Sequence, residues 1–110
     1  DIIIRGGENI SCIEVEDAIY AHADIAECSV FGLPDERFVE VPAAVILTKD
    51  GRDTVTPAAL REFLLKNTAP FKVPLEEHIF VVNETLPRLG TQKVDKKTLR
   101  EQYTKQLAAA

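Results

Sequence analysis

Lys93 closes the stretch Leu86-Pro87-Arg88-Leu89-Gly90-Thr91-Gln92-Lys93, which has no periodic apolar pattern and runs into a segment of helical character. A lysine at the tip of an irregular loop, just before a helix, is placed to deliver a charge rather than to fill a core. Its ammonium is a compact point charge on a long stem, suited to neutralising carboxylate or phosphate oxygens. Gly90 supplies flexibility and Pro87 stiffens the entry. The same residues also describe a solvated lysine before a basic helix, because Lys96, Lys97 and Arg100 follow. The second place of interest is Gly6-Gly7. It reads as a hairpin turn, and equally as a point where missing side chains let a ligand run close to the backbone. Glu8 and Asn9 beside it are either turn-stabilising polar residues or ligand contacts.

Other reactive side chains form no set. His22 and His78 are isolated, with no base, nucleophile and orienting group in company. Asp35-Glu36 and Glu76-Glu77 are acidic neighbours in sequence, which reads as solvated loop. Neither G-x-x-x-x-G-K-[ST] nor G-x-G-x-x-G occurs, so neither familiar phosphate-cradling loop is present. Cys12 and Cys28 stand far apart with no His at ligand spacing, so no metal site is expected. Two free, buried thiols in a reducing, cytoplasmic setting is the expectation, with a disulfide as the alternative.

The totals bound the partners. A chain of 110 residues with 45% apolar content supports one domain with one core. Thirteen basic against 18 acidic residues, a net charge of -5, argues against general nucleic-acid binding. No apolar run reaches bilayer-spanning length, and the start Asp1-Ile2-Ile3-Ile4 has no basic leader. The chain has no Met and begins inside a β-branched run, so a piece of a larger protein is expected.

The elements that must position these residues follow from pattern. Asp1 to Arg5 and Glu8 to Ile10 form a hairpin about Gly6-Gly7. Ser11 with Glu14 is a capping box for a helix to about His22, with Ile13, Ala18, Ile19 and His22 near one face. Ala26 to Leu33 is a strand ended by Pro34-Asp35. Val39 to Thr48 is a strand buried on both faces, with Pro42 at its start or near an edge. Lys49-Asp50-Gly51 is a turn. Thr56 caps a helix with Pro57 at its first position and a stripe of Leu60, Phe63 and Leu64. Pro70 to Pro74 is a connector, and His78 to Val82 a third strand. Asp95 caps a last helix bearing Leu99, Tyr103 and Leu107. The expected fold class is α+β: a small domain with a mainly three-stranded sheet packed by helices, plus an N-terminal hairpin.

Three stretches, in order, together resemble one family. Asp1-Ile-Ile-Ile-Arg-Gly-Gly-Glu-Asn-Ile10 resembles the loop after the hinge in adenylate-forming enzymes, the acyl- and aryl-CoA synthetases related to luciferases and peptide-synthetase adenylation domains. Phe71-Lys72-Val73-Pro74 resembles their Y/F-K-x-P connector. Leu86 to Lys93 resembles their lysine loop, usually L-P-[RK]-x-x-x-G-K. The resemblance implies that residues 1–110 are one mobile C-terminal domain, without the N-terminal domain that binds ATP and the acid. It implies a carboxylic acid, ATP, CoA and Mg2+ in the full-length enzyme, with none of these held by this piece alone. By the same resemblance, Lys93 is the catalytic residue of adenylation, and acetylating it would switch that step off. Gly6, Gly7, Phe71 and Lys72 contact CoA; Glu8, Asn9, Gly90 and Gln92 support the loops. The chain departs from the pattern at Gln92 and Val39, where glycine is common. It also has Val73 and Leu75 near the connector, where some relatives carry a basic residue. Loading of a carrier protein in place of CoA, and a stand-alone α+β interaction module, are the alternative readings.

Overall fold

Strand β4 (Val39–Thr48) is the element on which the sheet is assembled. In the computed structural model, which describes residues 1–49 and 55–109, it is preceded by β1 (Ile2–Arg5), β2 (Glu8–Ser11), α1 (Cys12–Tyr20) and β3 (Ile25–Asp35). It is followed by α2 (Pro57–Leu65), 3-10 turns at Pro70–Lys72 and Glu76–His78, β5 (Ile79–Val82) and α3 (Lys96–Ala109). On one side β4 pairs antiparallel with β3 along its whole length, from Asp35↔Val39 to Ile25↔Thr48. On the other it meets β1 at Arg5↔Val39 and then β5, in parallel, from Ala44↔Ile79 to Leu47↔Val82. The hairpin is thereby annexed to β3, β4 and β5, and the α+β domain has a mixed five-stranded sheet.

The alternation of β3 and β4 feeds two cores. Cys28, Val30, Ala44 and Ile46 face Val15 and Ile19 of α1 and Leu60 and Leu64 of α2. Phe31, Leu33, Val41, Ala43 and Val45 face Leu99 and Tyr103 of α3. The expected burial of β4 on both faces is thus met. Tyr103 stacks on Phe80 at 4.1 Å between centroids and on Phe31 at 6.3 Å.

Both prolines in these strands sit where an amide hydrogen is not needed. The Val30 amide turns away from β4 to donate to Glu16 Oε2 at 2.8 Å. By the two-residue repeat, Pro34 faces the same free edge, so β3 continues through it to Asp35 rather than ending. Pro42 faces the other side of β4, in the gap between the β1 and β5 pairings. In α1 the buried residues are Cys12, Val15 and Ile19, whereas Ile13 is 62% exposed. The helix starts at Cys12, so the inward face runs through positions 12, 15 and 19 and turns Ile13 outward. It ends at Tyr20, short of His22. The Ser11 cap forms, with Oγ accepting from the Glu14 amide at 3.3 Å, but the Glu14 carboxylate pairs with Lys72 instead of closing a capping box. The expected turn at Lys49-Asp50-Gly51 lies, beyond Lys49, outside the described residues.

Candidate functional site

Lys93 ends a small hairpin whose geometry is set by its backbone. Arg88 and Val94 form an antiparallel bridge. The Gln92 amide donates to the Leu89 carbonyl at 2.9 Å, and the Leu89 amide donates to the Lys93 carbonyl at 2.8 Å. Gln92 has φ of 71°. This is a tight turn followed by one left-handed residue, the position of a hairpin bulge that favours glycine. Position 92, and not Gly90, therefore makes the conformational demand: Gly90 has ordinary φ, and a Cβ there would meet nothing within 4 Å. Asp95 closes the loop by capping α3, accepting from the Thr98 amide at 3.2 Å and hydroxyl at 2.7 Å. The Thr98 hydroxyl holds the Asp95 carboxyl below its usual range.

The basic cluster is smaller in space than in sequence. Lys96 pairs with Glu16 at 2.9 Å and Asp1 at 3.3 Å and donates to the Val30 carbonyl at 2.8 Å. Arg100 pairs with Glu40 at 2.6 Å. Lys96, Glu16 and the Tyr20 hydroxyl, which takes the Cys28 amide at 3.0 Å, cover the backbone of the β3 edge. Lys93 is exposed, and its ammonium has no ion-pair partner among the described residues. It borders an open groove of about 570 Å³ with Tyr20, Ser29, Leu89 and Lys97.

The glycine pair sits at the other end of the sheet. Gly6 and Gly7 have φ of 54° and 87° and join Arg5 to Glu8 in a two-residue turn of the mirror-image type. The Gly6 amide donates to the Phe38 carbonyl at 2.7 Å, and a Cβ on Gly6 would lie 3.1 Å from the Phe38 ring. Arg5 lies over that ring at 4.0 Å and Arg37 at 5.0 Å. Neither arginine has a carboxylate partner among the described residues, and Asp35 is occupied by the amides of Arg37 and Phe38. Glu8 and Asn9 are exposed on β2. Glu40 accepts from the Ile4 amide at 2.9 Å as well as from Arg100, and so ties the hairpin to α3. A Cβ on Gly32 would lie 2.8 Å from the Glu40 carboxylate and would displace it.

Phe71 is half-buried and shares a cavity of about 120 Å³ with Arg5, Phe38 and His78. Lys72 instead pairs with Glu14 at 2.7 Å. The fold therefore brings Phe71 to the glycine end and ties Lys72 to α1. Arg88 of the lysine loop pairs with Glu27, and Glu27 and Asp35 stand near opposite ends of β3. At a strand rise of ~3.3 Å per residue they are about 26 Å apart. The lysine end and the glycine end are two separate sites.

Residues 14–93 match the AMP-binding enzyme C-terminal domain. The chain belongs to this family. It is 39% identical over 102 residues to the probable CoA ligase CCL11 of Humulus lupulus, covering 92% of this chain and 18% of that protein. Its structure superposes on the Mycobacterium tuberculosis fatty acyl CoA synthetase with a TM-score of 0.84 at 34% identity, covering 96% of this chain and 20% of that one. ATP-bound MatB from Rhodopseudomonas palustris gives a TM-score of 0.84 at 33% identity over 94% of this chain and 20% of that one. The chain thus spans about a fifth of the length of the relatives it matches.

In this AMP-binding C-terminal domain the remaining candidates have structural places. The His22 Nδ1 accepts from the Asp24 amide at 3.1 Å, and its ring meets Phe63 edge-on at 4.9 Å. Cys12 and Cys28 are free and buried. Burial, with Glu16 nearby, pushes the Cys28 thiol up to about 12, and burial raises Cys12 as well, so both stay protonated. Among the described residues no three His, Cys, Asp or Glu side chains cluster to hold a metal, and no helix is long and apolar enough to cross a membrane. Arg5, Arg37 and Phe38 escaped sequence reading because their meeting depends on the Arg5↔Val39 pairing.

Proposed function

We propose that this chain is the mobile C-terminal domain of an ATP-dependent acyl-CoA ligase. The full-length enzyme joins a carboxylic acid, ATP and CoA to give acyl-CoA, AMP and pyrophosphate by way of an acyl-adenylate, with Mg2+ accompanying the ATP. A fatty acid or related carboxylate is the substrate class. The observation that carries the reading is the Lys93 ammonium, without an ion-pair partner among the described residues, at the end of a tightly hydrogen-bonded hairpin. Lys93 supplies positive charge to the carboxylate and the adenylate phosphate as the bond between them forms. It acts as a preplaced cation and exchanges no proton.

The glycine end serves the second half. CoA runs along the Gly6-Gly7 backbone, where side chains are absent, and the thiol takes the acyl group from the adenylate. Phe71 packs beside this path, and Arg5 and Arg37 offer guanidinium charge to the phosphates of CoA. Lys72 contributes there when it releases Glu14. Two sites about 26 Å apart cannot address one acyl group at once, so the domain turns as a rigid body over its N-terminal partner between the halves.

Replacing Lys93 tests this. In the full-length protein, Lys93→Ala lowers ATP–pyrophosphate exchange by roughly 100- to 1000-fold, while thioester formation from supplied acyl-adenylate persists. Equal loss in both halves overturns the assignment. The same exchange assay, run across a panel of acids, identifies the substrate.

A further inference from the structure

Among the described residues Lys93 has no side-chain partner of its own, so something else must fix the direction in which it projects. We infer that Arg88, held by Glu27 on β3, is the positioning residue for Lys93. The Arg88 Nη1 donates to the Gln92 carbonyl at 3.0 Å. Its Nη2 pairs with the Glu27 carboxylate. The Gln92 carbonyl belongs to the peptide plane that contains the Lys93 nitrogen. Fixing that carbonyl fixes the plane before Lys93, the Leu89 amide holds the Lys93 carbonyl in the plane after it, and the two together set the direction in which the side chain leaves the backbone. Gln92 sits at φ of 71°, a conformation that a non-glycine residue holds only where its surroundings enforce it. Arg88 is part of that enforcement, because its fork grips the far side of the turn.

Glu27 makes the brace more than a loop contact. Its side chain is 17% exposed, against 38% for Arg88. It belongs to a strand paired with β4, so the loop is referenced to the body of the domain. When the domain turns, Lys93 then moves with the sheet rather than with a free loop. A guanidinium can hold both partners at once through its planar fork, which a lysine in its place cannot.

The inference rests on the role proposed for Lys93, and its test separates the two. In the full-length protein, Arg88→Leu is expected to lower ATP–pyrophosphate exchange by roughly 100-fold, the scale of a misplacement of about 1 Å. The loss falls in kcat, with KM for ATP and the acid little changed, and thioester formation from supplied acyl-adenylate is spared. Arg88→Lys, which keeps one of the two contacts, recovers part of the rate. Glu27→Gln, which keeps the shape and loses the charge, gives a smaller loss of the same kind. Should Arg88→Leu unfold the protein, Glu27→Gln carries the test. Full exchange activity in these variants, or a fall in both half-reactions in step with the unfolding temperature, overturns the positioning role. If Lys93→Ala itself leaves exchange intact, it is the proposed function that fails.

Discussion

The two ends of β3 carry turns that solve one backbone problem in different ways. At the Asp35 end, left-handed geometry is needed at Gly6, Gly7 and Val39, with φ of 54°, 87° and 73°. Glycine meets the need twice, and a β-branched residue meets it once. At the Glu27 end, among the described residues, it is needed at Gln92 alone. The glycine end presents bare backbone flanked by two arginines on one aromatic ring. The lysine end presents the Lys93 cation, without an ion-pair partner among the described residues, on a turn gripped by Arg88. A site that must let a ligand lie along the chain removes side chains. A site that must place one charge keeps a side chain and braces the backbone behind it.

Breaking the glycine end alone should therefore damage one half-reaction. Gly7→Leu places a side chain on a backbone at φ of 87°, although a Cβ there meets nothing within 4 Å. The variant is expected to slow thioester formation from supplied acyl-adenylate by roughly 5- to 30-fold, the equivalent of an αL penalty of roughly 1–2 kcal/mol on the turn along which CoA runs. ATP–pyrophosphate exchange should be unchanged. Normal CoA kinetics would remove Gly7 from the path of the thiol. Set beside Lys93→Ala, the pair forms a crossed test, each variant sparing the half that the other impairs.

Much of this arrangement was legible in the residues. The caps Ser11, Thr56 and Asp95 act locally and were found where the helices begin. The Gly6-Gly7 turn and the two-faced burial of Val41 to Ile46 follow from short-range pattern. The supports of the site do not. Arg88–Glu27, Lys72–Glu14 and Arg100–Glu40 join residues far apart in sequence, and only packing decides which acid each cation meets. For that reason a basic run at Lys93, Lys96, Lys97 and Arg100 looked uniform, while in space Lys96 and Arg100 are bound to acids. The lysine loop lies between β5 and α3, and its left-handed residue is Gln92 rather than Gly90, from which flexibility is expected. The signal that could have corrected this is the bulge rule: in a three-residue hairpin loop the last position takes the left-handed turn, and Gln92 occupies it.

The two non-glycine positions offer the finest comparison. Val39→Gly relieves a β-branched residue in a region it seldom enters. Thermal unfolding of the chain should show stabilisation of about 1 kcal/mol, a strain of roughly 1–2 kcal/mol reduced by the added freedom of glycine in the unfolded state. Gln92→Gly should give less, under about 0.5 kcal/mol, because Gln is unbranched at Cβ and its carbonyl is already held by Arg88. The sharper reading is in the full-length enzyme. If Arg88 fixes the turn, Gln92→Gly leaves ATP–pyrophosphate exchange nearly unchanged, because the peptide plane before Lys93 is still gripped. In an Arg88→Leu background the same Gln92→Gly change should recover part of the lost activity, since glycine holds the left-handed conformation without enforcement. Equal effects of Gln92→Gly with and without Arg88 would mean that the two do not act on the same peptide.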